Sequence, residues 1–223
     1  MRNEQQDPPA KLLIVDNDPS IRGLLSEVRA EISFSVRSAQ DGFSALAEIR
    51  REIPGILLSD INMPDMSGFE LLSVVRRRFP AILVIAMSGS FSGNEVPSGV
   101  PADAFYQKGS SLGALLQIIR TLHQREPRFP TRPSGTTSPL WIQRNGGDNT
   151  GLEYVLITCP ECLNTSPHAL EGSDYLMREM DCIRCGYSIR YAIVASTDQV
   201  TLQTFQHTAS RASPARCAST FNN

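Results

Sequence analysis

Along the first half of the chain, short apolar runs alternate with longer segments of helical periodicity. Lys11 to Val15 is a run of strand length that stops at Asp16-Asn17-Asp18-Pro19. A continuous run of this kind suits a strand buried on both faces of a parallel sheet. Asp18 followed by Pro19 reads as a helix N-cap and first helical position. Ile21, Leu24, Leu25 and Val28 then recur at helical spacing. Ser33 to Ser38 is a weaker, alternating strand, and Gln40-Asp41-Gly42 a turn. Phe43, Leu46, Ala47 and Ile49 mark a second amphipathic helix. Gly55 to Ser59 is a third strand that delivers Asp60. Phe69, Leu71, Leu72, Val74 and Val75 mark a third helix, stopped near Pro80. Ala81 to Met87 is a fourth strand ending at Ser88. Ala104 to Gln107 is a fifth, ending at Lys108. Leu112, Leu115, Leu116, Ile118, Ile119 and Leu122 form a last helix. The interval from Ser88 to Pro101 holds three glycines and two prolines and reads as loop or a single turn.

Strands alternating with helices predict a parallel, doubly wound sheet. Asp16, Asp60, Ser88 and Lys108 each follow a strand at once, so right-handed crossovers gather them at one edge of that sheet. Two acids, a hydroxyl and an ammonium in one pocket suit phosphoryl chemistry. Carboxylates hold a hard divalent ion, an ammonium neutralises phosphoryl oxygens, and one carboxylate can act as nucleophile.

The segments Leu13-Ile14-Val15-Asp16-Asn17-Asp18-Pro19, Ser59 to Gly68, Met87-Ser88-Gly89 and Phe105-Tyr106-Gln107-Lys108 resemble, in order and spacing, the receiver domain of two-component response regulators. The resemblance covers about half of the chain. It implies a flavodoxin-like, five-stranded sheet of order 2-1-3-4-5. It implies that Asp60 accepts a phosphoryl group from a histidine kinase or a phosphotransfer protein. It implies Mg2+ near Asp16, Asp60, the backbone carbonyl of Asn62 and the position of Asn17. Ser88, Lys108 and the aromatic position Phe105 would respond to the phosphoryl group. Two departures stand out. The family usually has a second acid where this chain has the neutral Asn17, which weakens the metal site. The lysine is usually followed by a proline, and here Gly109 follows.

Asp16-x-Asp18 is also similar to the opening motif of haloacid-dehalogenase-like phosphatases, where the two acids are nucleophile and general acid. That family needs a further acidic pair after the lysine, and Gly109 to His123 contains no acid. The chain is expected not to be an enzyme. A receiver that has lost phosphorylation and serves as a protein-binding adaptor is the alternative within the same fold.

Composition refines the second half. The chain has 223 residues, 41% hydrophobic and 20% charged, with a net charge of -2. No general attraction to polyanions follows. No signal-like or membrane-spanning run is present, so the expected compartment is the cytoplasm, without membrane contact. Residues 8–126 are expected as the receiver, 127–150 as a linker rich in Pro, Gly and Ser, 151–198 as a second domain, and 199–223 as a disordered tail. Trp141 and Ile142 are unusual in such a linker and suit equally docking on a neighbouring domain or a partly exposed anchor in a mobile segment.

In the second domain, Tyr154 to Ile157, Tyr175 to Met180 and Tyr187 to Ala195 are strand-like. Cys159-x-x-Cys162 and Cys182-x-x-Cys185 stand nineteen residues apart. Two such knuckles can set four thiolates tetrahedrally around Zn2+, and the arrangement resembles a zinc ribbon. Structural zinc is expected at Cys159, Cys162, Cys182 and Cys185, with His168 a possible substitute ligand; a redox pair or free thiols are the alternatives. Leu163 stands where that family often has Gly. Acids outnumber bases around the knuckles, so nucleic-acid binding is not supported and the output is expected through an unidentified protein partner.

Overall fold

The computed structural model describes residues 10–27, 34–89, 100–124, 139–143, 146–147, 153–169 and 177–194. The expected loop between the fourth and fifth strands lies largely outside them, as do the tail and the ends of the expected linker.

Five strands build the first sheet: β1 (Ala10–Val15), β2 (Phe34–Ala39), β3 (Ile56–Asp60), β4 (Leu83–Ser88) and β5 (Ala104–Gln107). Their order is β2-β1-β3-β4-β5, with every pair parallel. This is the expected flavodoxin-like topology. Four helices cover it: α1 (Pro19–Ser26), α2 (Gly42–Arg51), α3 (Gly68–Arg78) and α4 (Leu112–His123). Each starts on a side-chain cap, which satisfies backbone N–H groups that have no partner within the helix. Asp18 accepts from the Ser20 N–H at 2.7 Å, Asp41 forms a capping box with Ser44, and Ser67 and Ser111 cap α3 and α4.

Alternate strand residues feed two cores. Leu12, Ile14, Ile56, Leu58, Ile85, Met87 and Tyr106 meet α4 and Leu25 of α1 on one face. Leu13, Val15, Leu57, Val84, Ala86 and Phe105 meet α2 and α3 on the other.

The second core does not stop at the helices. It continues through Leu140, Ile142, Val155, Ile157, Cys159, Ile189, Tyr191 and Ile193. These come from two three-stranded sheets. One has the order β10-β11-β6, formed by β10 (Met177–Asp181), β11 (Ser188–Val194) and β6 (Leu140–Gln143). The other has the order β7-β8-β9, formed by β7 (Gly146–Gly147), β8 (Glu153–Thr158) and β9 (Thr165–Ala169).

Two of these strands lie inside the interval expected as linker, which corrects that boundary. Leu140 and Ile142 are fully buried, and β6 pairs in parallel with β11, Ile142 opposite Ile193. Trp141 packs against the same core, the docked alternative of the two.

Packing from both sides leaves α3 buried from Gly68 through Val75. Leu71, Leu72, Val74 and Val75 are wholly inaccessible, each contributing about 2 kcal/mol by apolar burial. Glu70 is also only 1% exposed. Its Oε1 accepts from the Thr158 N–H of β8 at 3.2 Å. Its Oε2 has no hydrogen-bond partner among the described residues. Burial pushes this carboxyl up to about 8, against the pull of Thr158.

Two expectations follow. A carboxyl raised from 4.5 to about 8 on folding supports the folded state fully below the lower value. That support is lost as pH rises through the upper one, by a few kcal/mol. Glu70→Gln removes the titration, so its melting midpoint should gain on that of the wild type between pH 5 and pH 8.5. A gap that stays constant with pH would show that the carboxyl is not held neutral. At the start of the same helix, a Cβ on Gly68 would come to 2.0 Å from the Asp60 carbonyl oxygen. Gly68→Ala should therefore destabilise the domain by about 3 kcal/mol, read by chemical denaturation.

Candidate functional site

Strand ends and the loops that leave them build the acidic pocket. Strand β1 ends one residue before Asp16, which is fully buried, and β3 ends on Asp60, 3% exposed. After Asp60 the chain folds back at once. The Ile61 N–H donates to the Met87 carbonyl at 3.0 Å, and the Gly68 N–H donates to the Ile61 carbonyl at 3.2 Å. Met63 and Met66 anchor this loop in the core. The left-handed turn it requires falls on Asp65, at φ +61°, and Asp tolerates that region better than most residues.

Lys108 joins the two acids. Its Nζ lies 2.6 Å from Asp60 Oδ2 and 2.8 Å from Asp16 Oδ2. The other Asp60 oxygen accepts from the Asn62 N–H at 3.0 Å. Burial pushes the Asp60 carboxyl above its usual range, against the opposing pull of Lys108 and of the Asn62 N–H. Burial alone would lower Lys108, but Asp16 and Asp60 outweigh it and hold the ammonium above its usual range. Ser88, fully buried at the end of β4, accepts from the Asn62 side-chain amide at 3.2 Å. The pocket thus brings together Asp16, Asp60, Asn62, Ser88 and Lys108. Phe105 is buried three residues before the lysine, in the core on the α3 side of the sheet.

Two expected members stand apart. Asn17 is exposed beside the pocket. Asp18 is exposed as well, and its carboxylate is occupied by the start of α1. That role leaves the phosphatase reading without its general acid. The turn after the lysine is made by Gly109 at φ +88°. A proline could not take that conformation, which explains its replacement here.

The pocket suits a divalent cation. Two buried carboxylates face one ammonium, which leaves one negative charge over, and Asn62 Oδ1 is a buried acceptor with no hydrogen-bond partner among the described residues. Asp16, Asp60 and the Asn62 carbonyl could hold a hard ion with oxygen ligands.

The cysteines form the second site. The four ligand sulfurs lie within 4.8 Å of one another. Cys159 and Cys185 are 3.7 Å apart and Cys162 and Cys182 are 3.6 Å apart, sulfur to sulfur. Tetrahedral thiolates at the usual zinc–sulfur distance stand about 3.8 Å apart. The two knuckles repeat one geometry. The Leu163 N–H donates to the Cys159 carbonyl, and the Gly186 N–H to the Cys182 carbonyl, both at 2.8 Å. Leu163 and Gly186 are both left-handed, at φ +56° and +70°. Leu163 therefore adopts the glycine conformation despite its side chain.

Burial pushes the Cys159 thiol up to about 12. The Cys162 thiol is also pushed up by burial, but N–H groups of Asn164 and neighbouring thiols outweigh it and hold it at about 6. His168 is not in the cluster; its ring packs edge-on against Tyr191 at 5.8 Å.

Glu70 is the functional-site neighbour that the hydrophobic pattern does not reveal. It sits in the first turn of α3, where an acid is ordinary. The Cys159 knuckle also touches Arg50 of α2, whose Nη2 donates to the carbonyls of Cys162 and Leu163 at 3.0 and 2.8 Å.

Comparison with known proteins bears on the first half of the chain. Residues 12–120 match the family model of the response regulator receiver domain. The probable transcriptional regulatory protein TcrX of Mycobacterium tuberculosis is 35% identical over 60 residues, 27% of this chain and 26% of that protein. Response regulator MprA of Mycobacterium sp. (strain KMS) is 29% identical over 119 residues, 52% of each chain. This chain thus spans a quarter to a half of the length of these relatives. Among solved structures, the chemotaxis response regulator CheY4 of Vibrio cholerae is 28% identical, with a TM-score of 0.47, over 51% of this chain and 98% of that one. The matched family, the parallel sheet of order β2-β1-β3-β4-β5 and the acidic pocket at its strand ends agree: residues 12–120 are a response regulator receiver domain of the two-component type.

Proposed function

We propose that the chain is a response regulator that takes a phosphoryl group onto Asp60 from a histidine kinase or a phosphotransfer protein. The Lys108 ammonium set between Asp60 and Asp16 carries this reading. One Asp60 oxygen attacks phosphorus as the bond from phosphorus to the donor's imidazole nitrogen breaks. The electron pair of that bond stays on nitrogen, and a mixed anhydride forms. Lys108 favours the ionised form of Asp60 against its burial and then pairs with a phosphoryl oxygen. Ser88, held by the Asn62 amide, is placed to turn toward the same group. Asp16, Asp60 and the Asn62 carbonyl would hold Mg2+, which spreads charge off the phosphoryl oxygens.

Loops that gain a new partner can settle in a second arrangement and alter a remote surface. Phe105, behind Lys108 in the core, would move with them. The output is a protein contact in the cytoplasm, without enzymatic activity and without nucleic acid. Ile183, 83% exposed at the tip of the second knuckle, supports an apolar contact of that kind. The four thiols would hold a structural Zn2+, since all four ligand positions are protein sulfur and no position is left open for catalysis.

The exposed, neutral Asn17 favours one rival: a receiver that binds protein without being phosphorylated. Labelling decides between them. The full chain, given a small-molecule phosphodonor and Mg2+, should label on Asp60, and Asp60→Ala should abolish the label. A folded wild type that takes no label would establish the adaptor instead. Asn17→Asp adds a carboxylate beside the ion and should tighten Mg2+ by about tenfold, read by titration. Zinc should be present at about one ion per chain; a content well below that removes the metal site.

A further inference from the structure

The first cysteine knuckle is held from the receiver at both of its ends. Thr158 directly precedes Cys159, and its N–H donates to Glu70 Oε1 in the first turn of α3. Beyond Cys162, the carbonyls of Cys162 and Leu163 accept from Arg50 in the last turn of α2. Neither side chain belongs to the acidic pocket. Glu70 is costly where it lies, a carboxyl shut away from water with its second oxygen unmet. A leucine would fill a buried helix position without that cost. Among the described residues, what distinguishes Glu70 from a leucine is its bonding to Thr158, which directly precedes the first thiol.

The knuckle needs such support. Leu163 is held at φ +56°, a conformation costly for a side chain of its kind, and its carbonyl is one of the two that Arg50 grips. Arg50 also brings a guanidinium against the backbone of the knuckle, at the carbonyls of Cys162 and Leu163. Four thiolates around one divalent ion leave two negative charges, which a nearby cation offsets. Across the site, Ile183, Arg184 and Cys185 of the second knuckle are exposed. Both knuckles share the apolar core with the receiver through Cys159 and Cys182, and the first knuckle is tied to it by Glu70 and Arg50 as well.

We propose that Arg50 and Glu70 are positioning residues for a metal ion at Cys159, Cys162, Cys182 and Cys185, and that ion binding there is linked through them to the stability of receiver helices α2 and α3. The inference rests on the thiols being a metal site. A ligand that binds the docked arrangement stabilises whatever holds that arrangement in place. A module merely tethered to the receiver would pass no such stabilisation on.

The test uses the full chain. Zinc affinity is measured by competition with a chromogenic chelator, the thiolate-to-cobalt absorption of the Co2+ form reports the ligand set, and hydrogen exchange follows the α3 amides with and without zinc. Arg50→Ala, at an exposed side chain, and Glu70→Ala should each weaken zinc by about tenfold. Glu70→Gln keeps an acceptor for Thr158 and should stay within about twofold of the wild type. The cobalt band should keep its form in all three, and zinc should slow exchange in α3 of the wild type. Circular dichroism confirms that each variant is folded. Arg50→Ala and Glu70→Gln remain informative if Glu70→Ala fails to fold. Wild-type affinity in folded Arg50→Ala, with α3 exchange indifferent to zinc, overturns the proposal while leaving the metal site intact. A wild type that takes up no zinc overturns both.

Discussion

A helix can be buried on every side only if something packs on both of its faces, and in this chain that helix is α3. Residues 68 to 75 are all removed from water. The parallel sheet covers one face, β6 lies along the other, and Thr158 at the end of β8 reaches Glu70. The apolar stripe of an ordinary surface helix spans one side; here the stripe wraps around, through Leu71, Leu72, Val74 and Val75. The same helix starts on Gly68, whose missing side chain lets it come down onto the Asp60 carbonyl. One rigid element therefore touches, within its first turn, both the proposed phosphoacceptor and the strand before Cys159.

Charge accounts for the pocket in the same economical way. Two carboxylates within reach of one ammonium are stable in a buried site only while that ammonium stays between them. Lys108 can do so because its backbone N–H is fixed on the Ser88 carbonyl at 2.9 Å and because Gly109 turns the chain away behind it. The remaining negative charge invites a cation. Asn17 adds no further charge, so the affinity for that cation rests on Asp16 and Asp60. Ser88 accepts from the Asn62 side-chain amide, and as a neutral hydroxyl it can change partner without uncovering a buried charge.

The fold was legible because its signals are local. A strand buried on both faces writes a continuous apolar run, and the residue after that run must lie at the sheet edge. Asp16, Asp60, Ser88 and Lys108 could be placed on that basis, as could the cap at Asp18 and the two cysteine knuckles. The elements that escaped depend on distant partners. Leu-Trp-Ile-Gln is too short to show a period, and its neighbours are turn formers, so β6 reads as linker until β11 is beside it. Glu70 sits in the first turn of α3, where an acid suits the helix dipole; its burial is imposed by a strand 88 residues later. Arg50 sits in the last turn of α2, where a base is ordinary, and its acceptors lie 112 and 113 residues on. In sequence, Leu163 only stands where the resembling ribbons often have glycine; the left-handed turn that glycine ordinarily supplies there is taken by the leucine itself.

These distant contacts bear on what sort of second domain this is. A unit of about fifty residues buries little apolar surface by its own means and usually needs a metal to fold. This module has a further resource, because Leu140, Ile142, Val155 and Ile157 belong to the same core as Leu71 and Val75. Its stability is shared with the receiver through apolar contact, and two polar contacts settle where on the receiver it sits. Apolar packing alone would tolerate small slides along α3. The Thr158 N–H on Glu70 and the Cys162 and Leu163 carbonyls on Arg50 do not, because hydrogen bonds weaken steeply with angle and distance. Packing thus makes the two domains one body, and the polar pair sets the register in which the thiols meet.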